Sequence, residues 1–367
     1  MALKPPLDTL WYTRCPAPTA ASVAIKQGWL NEEFLADGIE VRSLASATER
    51  SVHLSHYTQS QANAFRFGGY VPPLVSASRD VDVRILGLSW PDRTAAVLAL
   101  QDSGLKRPED LRGKRLSVPR RTRDSVDWWR ALVMSGYRAA LRRAGLEPGD
   151  VEFVEIDIER SYIDDAVTGQ DAGRSLWGAR SQFAVQREEI YALLRGQVDV
   201  IYSDAAMGAV VKAFLGPVVL IDLTAPEETG DVHAAQPLVL TATGSLVDSH
   251  PDIVARWLAR LLEADEWARN HERDALQIIA QDTGLPVDFV TDAYSSRIHR
   301  QLDLTLSPLR LELLRAKGDE LFAGGFLARP LDFAKLVDPQ PLLEARTIFE
   351  SRRAPAARSA GSVTRPR

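Results

Sequence analysis

The chain holds one cysteine in 367 residues, Cys15, within the run Asp8-Thr-Leu-Trp-Tyr-Thr-Arg-Cys-Pro-Ala-Pro18. One sulfur rules out a disulfide framework and a cysteine-based metal site, since each needs a second thiolate from the same chain. Two readings stay open at this point. Free cysteine is often a small buried filler, and it can also be a reactive thiol. The flanks bear on the choice: Arg14 is adjacent, and Pro16 and Pro18 forbid regular helix or ladder in the segment. A thiol on a rigid, irregular stretch just past a strand over Thr9 to Thr13 is well placed to face a cleft.

The other chemistry-bearing residue types form no constellation by spacing. His233, His250, His271 and His299 have no Cys or His partner at ligand spacing, and Asp164, Asp165 and Asp171 share a polar loop without a metal pattern. No metal site is expected. Neither a Walker loop nor a Gly-x-Gly-x-x-Gly turn is present. Trp128 and Trp129 open a helix behind Arg120, Arg121 and Arg123. An anion could sit at such a helix start; a solvated basic loop is the plainer reading.

Composition bounds the partners. With 45% hydrophobic and 25% charged residues the chain can bury a full core, and its length suggests two domains. A formal charge of −5 gives no reason to expect nucleic acid. No apolar run approaches the roughly 20 residues that span a bilayer, so no membrane partner is expected. Met1 to Asp8 carries one lysine and no apolar core of a secretory signal, and Arg14 before Cys15 fails the small-residue requirement of a lipoprotein site. The expectation is a cytoplasmic protein with a reduced thiol, and nothing demands more than a monomer.

Hydrophobic spacing supplies the elements that must position such groups. Thr9–Thr13, Gly38–Leu44, Val83–Leu88 and Ala96–Leu100 read as strands, with helices over Ala20–Gln27 and Leu30–Ala36 and helical or turn pieces at Ala62–Phe65 and Pro73–Ser78. This rhythm predicts an α/β fold with mainly parallel sheet. Beyond it come a strand ending at Val118, a helix over Val126–Ala144, a strand Val151–Ile158, a helix Gln186–Leu194 stopped at Gly196, and strands Val198–Tyr202 and Val218–Leu223. A strand at Leu238–Ala242 returns to the first unit. Ser249 reads as the cap of a long helix running to about Asn270. Further helices are expected near Asp274–Gln281, Val287–Tyr294 and Ser307–Lys317. Residues 1–104 and 225–345 thus form lobe one and residues 105–224 lobe two, while residues 351–367, rich in Arg, Ala, Ser and Pro, read as a disordered tail. Two lobes joined by two crossings leave a cleft, the default ligand site.

Leu111-Arg-Gly-Lys-Arg-Leu-Ser-Val118 and Leu194-Arg-Gly-Gln-Val-Asp-Val-Ile201 resemble segments of bilobed solute-binding proteins with the type II periplasmic-binding fold. Two further stretches, residues 8–18 and His56-Tyr-Thr-x-x-Gln-x-x-x-x-Arg-Phe-Gly-Gly-x-x-Pro-Pro-Leu74, resemble the aromatic sulfinate desulfinases of dibenzothiophene desulfurisation. The resemblance is dense in residues 8–18 and 52–74 and thin elsewhere to about residue 340. It implies the same two-lobed fold and release of sulfite from an aryl sulfinate such as 2'-hydroxybiphenyl-2-sulfinate, with no metal or organic cofactor. It also implies site residues. The family's cysteine falls on Cys15, its arginine on Arg66, and the glycine that helps hold the sulfinate on Gly69. The histidine falls on His56 by ungapped counting; His53 matches only with an insertion. Trp11, Tyr12, Tyr57, Phe65, Phe67 and Tyr70 flank the set, and of these Tyr57, Phe67 and Trp11 are the expected aromatic contacts. In the second lobe Tyr202-Ser-Asp-Ala-Ala206 lacks the tryptophans the family pattern carries nearby.

Those residue types suit that chemistry. Breaking an aryl carbon–sulfur bond requires a proton at the ring carbon, delivered by a positioned thiol, or attack of its thiolate on sulfur. Either route needs an imidazole to control the thiol, as His56 would. A guanidinium grips sulfinate oxygens at two points, as Arg66 would. The competing reading is an ABC-importer-type binding protein for a sulfonate or aromatic acid, which would call for an export signal. Thiamine-pyrimidine synthesis on the same scaffold would want an iron site of His or Cys that the spacing does not supply.

Overall fold

The computed structural model describes residues 7–165, 179–224, 234 and 236–353. β1 (Thr9–Arg14) and β2 (Glu40–Ser43) lie parallel, with the helices Ala20–Lys26 and Trp29–Leu35 between them. Thr19 starts the first of these helices by accepting from the Ser22 N–H at 3.2 Å. Their apolar faces close on Trp257 in the long helix Pro251–Asn270, on which the Phe34 and Phe65 rings stack. Ser249 is not the cap of that long helix. It ends a separate short helix, Gly244–Ser249, and His250 precedes Pro251 without a side-chain cap.

Residues 62–65, expected as helix or turn, instead lead into β3 (Ala64–Gly69) at the centre of the sheet. The pleat explains it. Phe65 and Phe67 go to one face and are buried in the helical layer, while Arg66 goes to the other. β4 (Val83–Ser89) and β10 (Leu238–Thr243) complete the order β2-β1-β3-β10-β4. β10 runs antiparallel to both its neighbours.

The second sheet comprises β5 (Ala95–Ala99), β6 (Arg115–Arg121), β7 (Glu152–Ile158), β8 (Val200–Asp204) and β9 (Val218–Asp222), in the order β7-β6-β8-β5-β9. β6, β7 and β8 are parallel, whereas β5 is antiparallel to β8 and β9. The chain therefore leaves the first sheet after Ser89, not near residue 103: the small apolar run Ala95–Ala99 is wholly buried and fills a slot in the second sheet. Each sheet is mixed, and in each the antiparallel strand is the one the chain enters on crossing over. The helix Gln340–Arg353 packs back on Pro251–Asn270 and takes in residues 351–353, where Arg352 pairs with Glu33 and Glu263. Residues 354–367, Asp171 and His233 lie outside the described residues. No helix among the described residues is long and apolar enough to cross a membrane.

Candidate active site

β1 and β3 run side by side, Thr13 opposite Arg66 and Arg14 opposite Phe67. The next residue of β1's chain, Cys15, continues that register by donating its N–H to the Phe67 carbonyl at 2.9 Å. It then turns sharply, with the Ala17 N–H on the Cys15 carbonyl at 2.8 Å, as the flanking prolines require. Period-two alternation sends Thr13 and Cys15 to the face that carries Arg66, and Arg14 to the opposite one. Arg14 is accordingly spent on a buried ion pair with Asp282 and does not attend the thiol.

Three groups converge on one edge of that face. Cys15 Sγ lies 3.6 Å from His56 Nε2 and 3.6 Å from Arg66 Nη2. His56, in the last turn of the helix Arg50–Thr58, is buried and held from behind: its Nδ1 is 2.7 Å from Thr13 Oγ1. The tautomer fixes the direction of both contacts. A proton on Nδ1 leaves Nε2 free to accept from the thiol, and a proton on Nε2 would be given to the sulfur. Burial, reinforced by the Arg66 charge, pushes His56 well below its ordinary 6.5, which favours the neutral imidazole.

Arg66 is anchored by its own neighbourhood. Its Nε donates to the His56 carbonyl at 2.8 Å and its Nη1 to the Gly69 carbonyl at 3.0 Å, which aims Nη2 at the sulfur. Among the described residues no carboxylate pairs with this buried guanidinium; its contacts are two carbonyls and a thiol. Burial lowers its pKa, against the opposing charges of Cys15 and Tyr57. A buried cation without a counter-charge is costly, and an anion is what relieves it.

A cavity of about 100 Å³ opens beside these groups. Cys15, His56, Arg66, Gly69 and Tyr57 line it from the first lobe, and Trp128, Leu132, Val185 and Asp204–Met207 line it from the second. Arg93 and Gln236 enter from the two crossings between the sheets. Tyr57 packs edge-on to the His56 ring at 5.0 Å and takes a hydrogen bond from the Trp128 indole, so one aromatic wall is built by both lobes. Ala205, at φ +43°, sits in the left-handed region at the junction of β8 and its helix, its N–H tied to the Thr94 carbonyl of the crossing at 2.7 Å. A non-glycine residue held there marks a position fixed by its surroundings.

Two expected aromatic contacts are absent from the cavity. Phe67 is 1% exposed in the core beneath the sheet, on the opposite face of β3 from Arg66. Trp11 shares the Cys15 face but lies four residues back, roughly 13 Å along the strand, where the Arg42 guanidinium covers its ring. His53 gives its Nε2 to the Ala47 carbonyl at 2.8 Å and does not line the cavity. Sequence reasoning missed Thr13, whose side chain is signalled by same-face spacing to Cys15. It also missed Trp128, Arg93, Asp204, Gln236 and Tyr294 as lining residues, for which spacing gives no signal. The basic stretch before Trp128 is not a solvated loop: Arg120 and Arg121 end β6, Arg120 paired at the surface with Asp157 and Arg121 buried over the Tyr162 ring. Among the described residues no group of three His, Cys, Asp or Glu side chains could hold a metal ion.

A family model described as NMT1/THI5 like matches residues 16–174. The 2'-hydroxybiphenyl-2-sulfinate desulfinase of Rhodococcus erythropolis is 27% identical over 357 residues, covering 91% of this chain and 92% of that protein. The crystal structure of a cysteine-to-serine variant of DszB in complex with biphenyl-2-sulfinic acid superposes with a TM-score of 0.75 at 24% identity, covering 93% of this chain and 99% of that one. The periplasmic aliphatic sulphonate binding protein SsuA from Escherichia coli gives a TM-score of 0.62 at 15% identity, over 91% of this chain and 93% of that one. The resemblance to aromatic sulfinate desulfinases thus extends over nearly the whole chain, and the fold is the two-lobed type II periplasmic-binding architecture.

Proposed function

We propose that the chain is a cofactor-independent desulfinase that hydrolyses the carbon–sulfur bond of an aryl sulfinate, with Cys15, His56 and Arg66 catalytic and Gly69 and Tyr57 at the substrate. The observation that carries this is the contact of one thiol with an imidazole and with a buried guanidinium that no carboxylate among the described residues pairs, at the edge of one aromatic-walled cavity. The reaction balances with water alone: ArSO₂⁻ + H₂O → ArH + HSO₃⁻. The ring carbon gains a proton as its bond to sulfur breaks, and the sulfur leaves with an oxygen from water. Arg66 Nη2 would orient the anion within reach of Cys15. The thiol would deliver the proton to the ring carbon or attack sulfur as thiolate, and His56, neutral at physiological pH, would exchange the proton with it. On this reading the enzyme works as a cytoplasmic monomer and needs no resident metal or organic cofactor.

The solute-binding alternative rests on fold alone. A receptor for sulfonates could use Arg66, but it has no need of a thiol held between an imidazole and a guanidinium. Incubating purified protein with 2'-hydroxybiphenyl-2-sulfinate and titrating free sulfite tests the choice. The Cys15→Ser variant is expected to release none while melting at the parent's temperature; full activity in that variant overturns the proposal.

A further inference from the structure

Arg66 meets the cavity with one nitrogen. Its Nε and Nη1 are spent on the His56 and Gly69 carbonyls, so the two-point grip expected of a guanidinium on a sulfinate is reduced to Nη2. Gly69, the other group placed at the anion, stands on the same strand, β3. An anion held from one strand alone can swing about that contact, whereas the chemistry needs the ring carbon presented to Cys15 at a fixed angle. A donor from a separate element would hold it.

Tyr294 carries such a donor. It follows the helix Val287–Ala293, lines the cavity together with Cys15 and Arg66, and is only 6% exposed. Its backbone is fixed from two sides. The Tyr294 N–H donates to the Val290 carbonyl at 3.0 Å, and the residue forms an antiparallel bridge with Arg93 of the outward crossing. Its hydroxyl, by contrast, makes no hydrogen bond to any described residue, and the oxygen is not closed off from solvent. With the rest of the residue covered, the open side is the cavity it lines. A buried phenol almost always finds a partner. The polar neighbours are already engaged: Tyr57 takes its hydrogen bond from Trp128, and Arg93 Nη2 donates to Asp204 Oδ2 at 2.8 Å. Burial raises the pKa of the Tyr294 phenol; the Arg93 charge opposes this, and the charges of Asp204 and Cys15 add to it, which leaves an O–H to donate at neutral pH.

We propose that Tyr294 contacts the substrate, its hydroxyl donating to a sulfinate oxygen so that the anion held by Arg66 Nη2 keeps its ring carbon towards Cys15. The identity of that anion rests on the desulfinase reading; the open hydroxyl in the cavity does not.

Tyr294→Phe removes one oxygen and keeps the ring. The fold makes no use of that oxygen, so the variant should melt no lower than the parent. In the Cys15→Ser background, calorimetric titration with biphenyl-2-sulfinate should show binding weakened at least about tenfold by Tyr294→Phe, the loss expected of a hydrogen bond to a charged group. With Cys15 present, sulfite-release kinetics should show KM raised and kcat lowered. Unchanged affinity overturns the contact. So does a lower melting temperature accompanying the loss, which would give the hydroxyl to the fold. A Cys15 protein that binds the sulfinate and releases no sulfite overturns the desulfinase reading, and the affinity ratio alone then decides on Tyr294. Sulfite release by the phenylalanine variant with the parent's KM and kcat overturns Tyr294 alone. A parent that binds no sulfinate overturns both.

Discussion

A side chain at Gly68 would put its Cβ 2.2 Å from the Cys15 sulfur and 2.8 Å from the Cys15 Cβ. No real Cβ tolerates such contacts, so the absence of a side chain on β3 is what lets the thiol stand beside Arg66. At Gly69, one residue on, a Cβ would meet nothing within 4 Å. Gly68→Ala should therefore displace the sulfur and cost about 100-fold in turnover, the penalty of an ångström-scale misplacement. Gly69→Ala should be far milder. Sulfite-release kinetics on the two variants, with circular dichroism to establish folding, check the contrast; equal effects would remove Gly68's special role.

On the proposed mechanism Thr13 acts on the thiol through His56, which it contacts. Its hydroxyl, 2.7 Å from Nδ1, holds the ring's orientation. Loss of one such hydrogen bond is worth about 1 kcal/mol, so Thr13→Val should lower kcat about five- to tenfold and leave KM nearly unchanged. Thr13→Ser, which keeps the hydroxyl, should restore the rate. A KM effect in place of a kcat effect would assign Thr13 to packing.

How much of this could be read before folding depends on the range of the cause. β1 and its two following helices are legible because apolar spacing is local, and the motif resemblance brings Cys15, His56 and Arg66 together across the chain. β3 is obscured because an arginine between two phenylalanines, followed by two glycines, weakens the strand signal; only its place between β1 and β10 makes the alternation meaningful. That same alternation corrects Phe67, which must face away from Arg66. The second lobe's contribution is non-local. Trp128 and Asp204 gain their roles from a crossing after Ser89, and β5, made of small apolar residues, carries no mark of the sheet it joins.

The buried His56 predicts a sign for acid stability. In the unfolded chain an imidazole titrates near 6.5, whereas in the fold burial and Arg66 hold it well below that. Below about pH 6.5 the unfolded chain takes up a proton the folded chain refuses, so stability is full above that pH and falls as the solution is acidified, by up to about 1.4 kcal/mol per pH unit. His299, also lowered by burial, adds in the same sense. His56→Gln should reduce the drop in melting temperature between pH 7.5 and pH 5.5. An unchanged drop would mean that His56 is protonated in the fold.

Arg66 does three things with one planar group, and lysine cannot replace it. Nε and Nη1 are occupied by the His56 and Gly69 carbonyls, which leaves Nη2 beside the sulfur as the cation presented to the cavity. A lysine ammonium has the charge but no fixed fork: it can satisfy the carbonyls or reach the cavity, and in the first case the anion loses its partner. On the proposed mechanism, in which one nitrogen both binds the anion and aligns it to Cys15, Arg66→Lys should raise KM for the sulfinate and lower kcat together, by at least about tenfold each. Arg66→Met removes the buried charge altogether, so its stability should match or exceed the parent's while sulfite release disappears. Loss of stability in the methionine variant would mean that the guanidinium serves the fold through its carbonyl contacts more than it serves an anion. Retained activity in the lysine variant would deny it the orienting role.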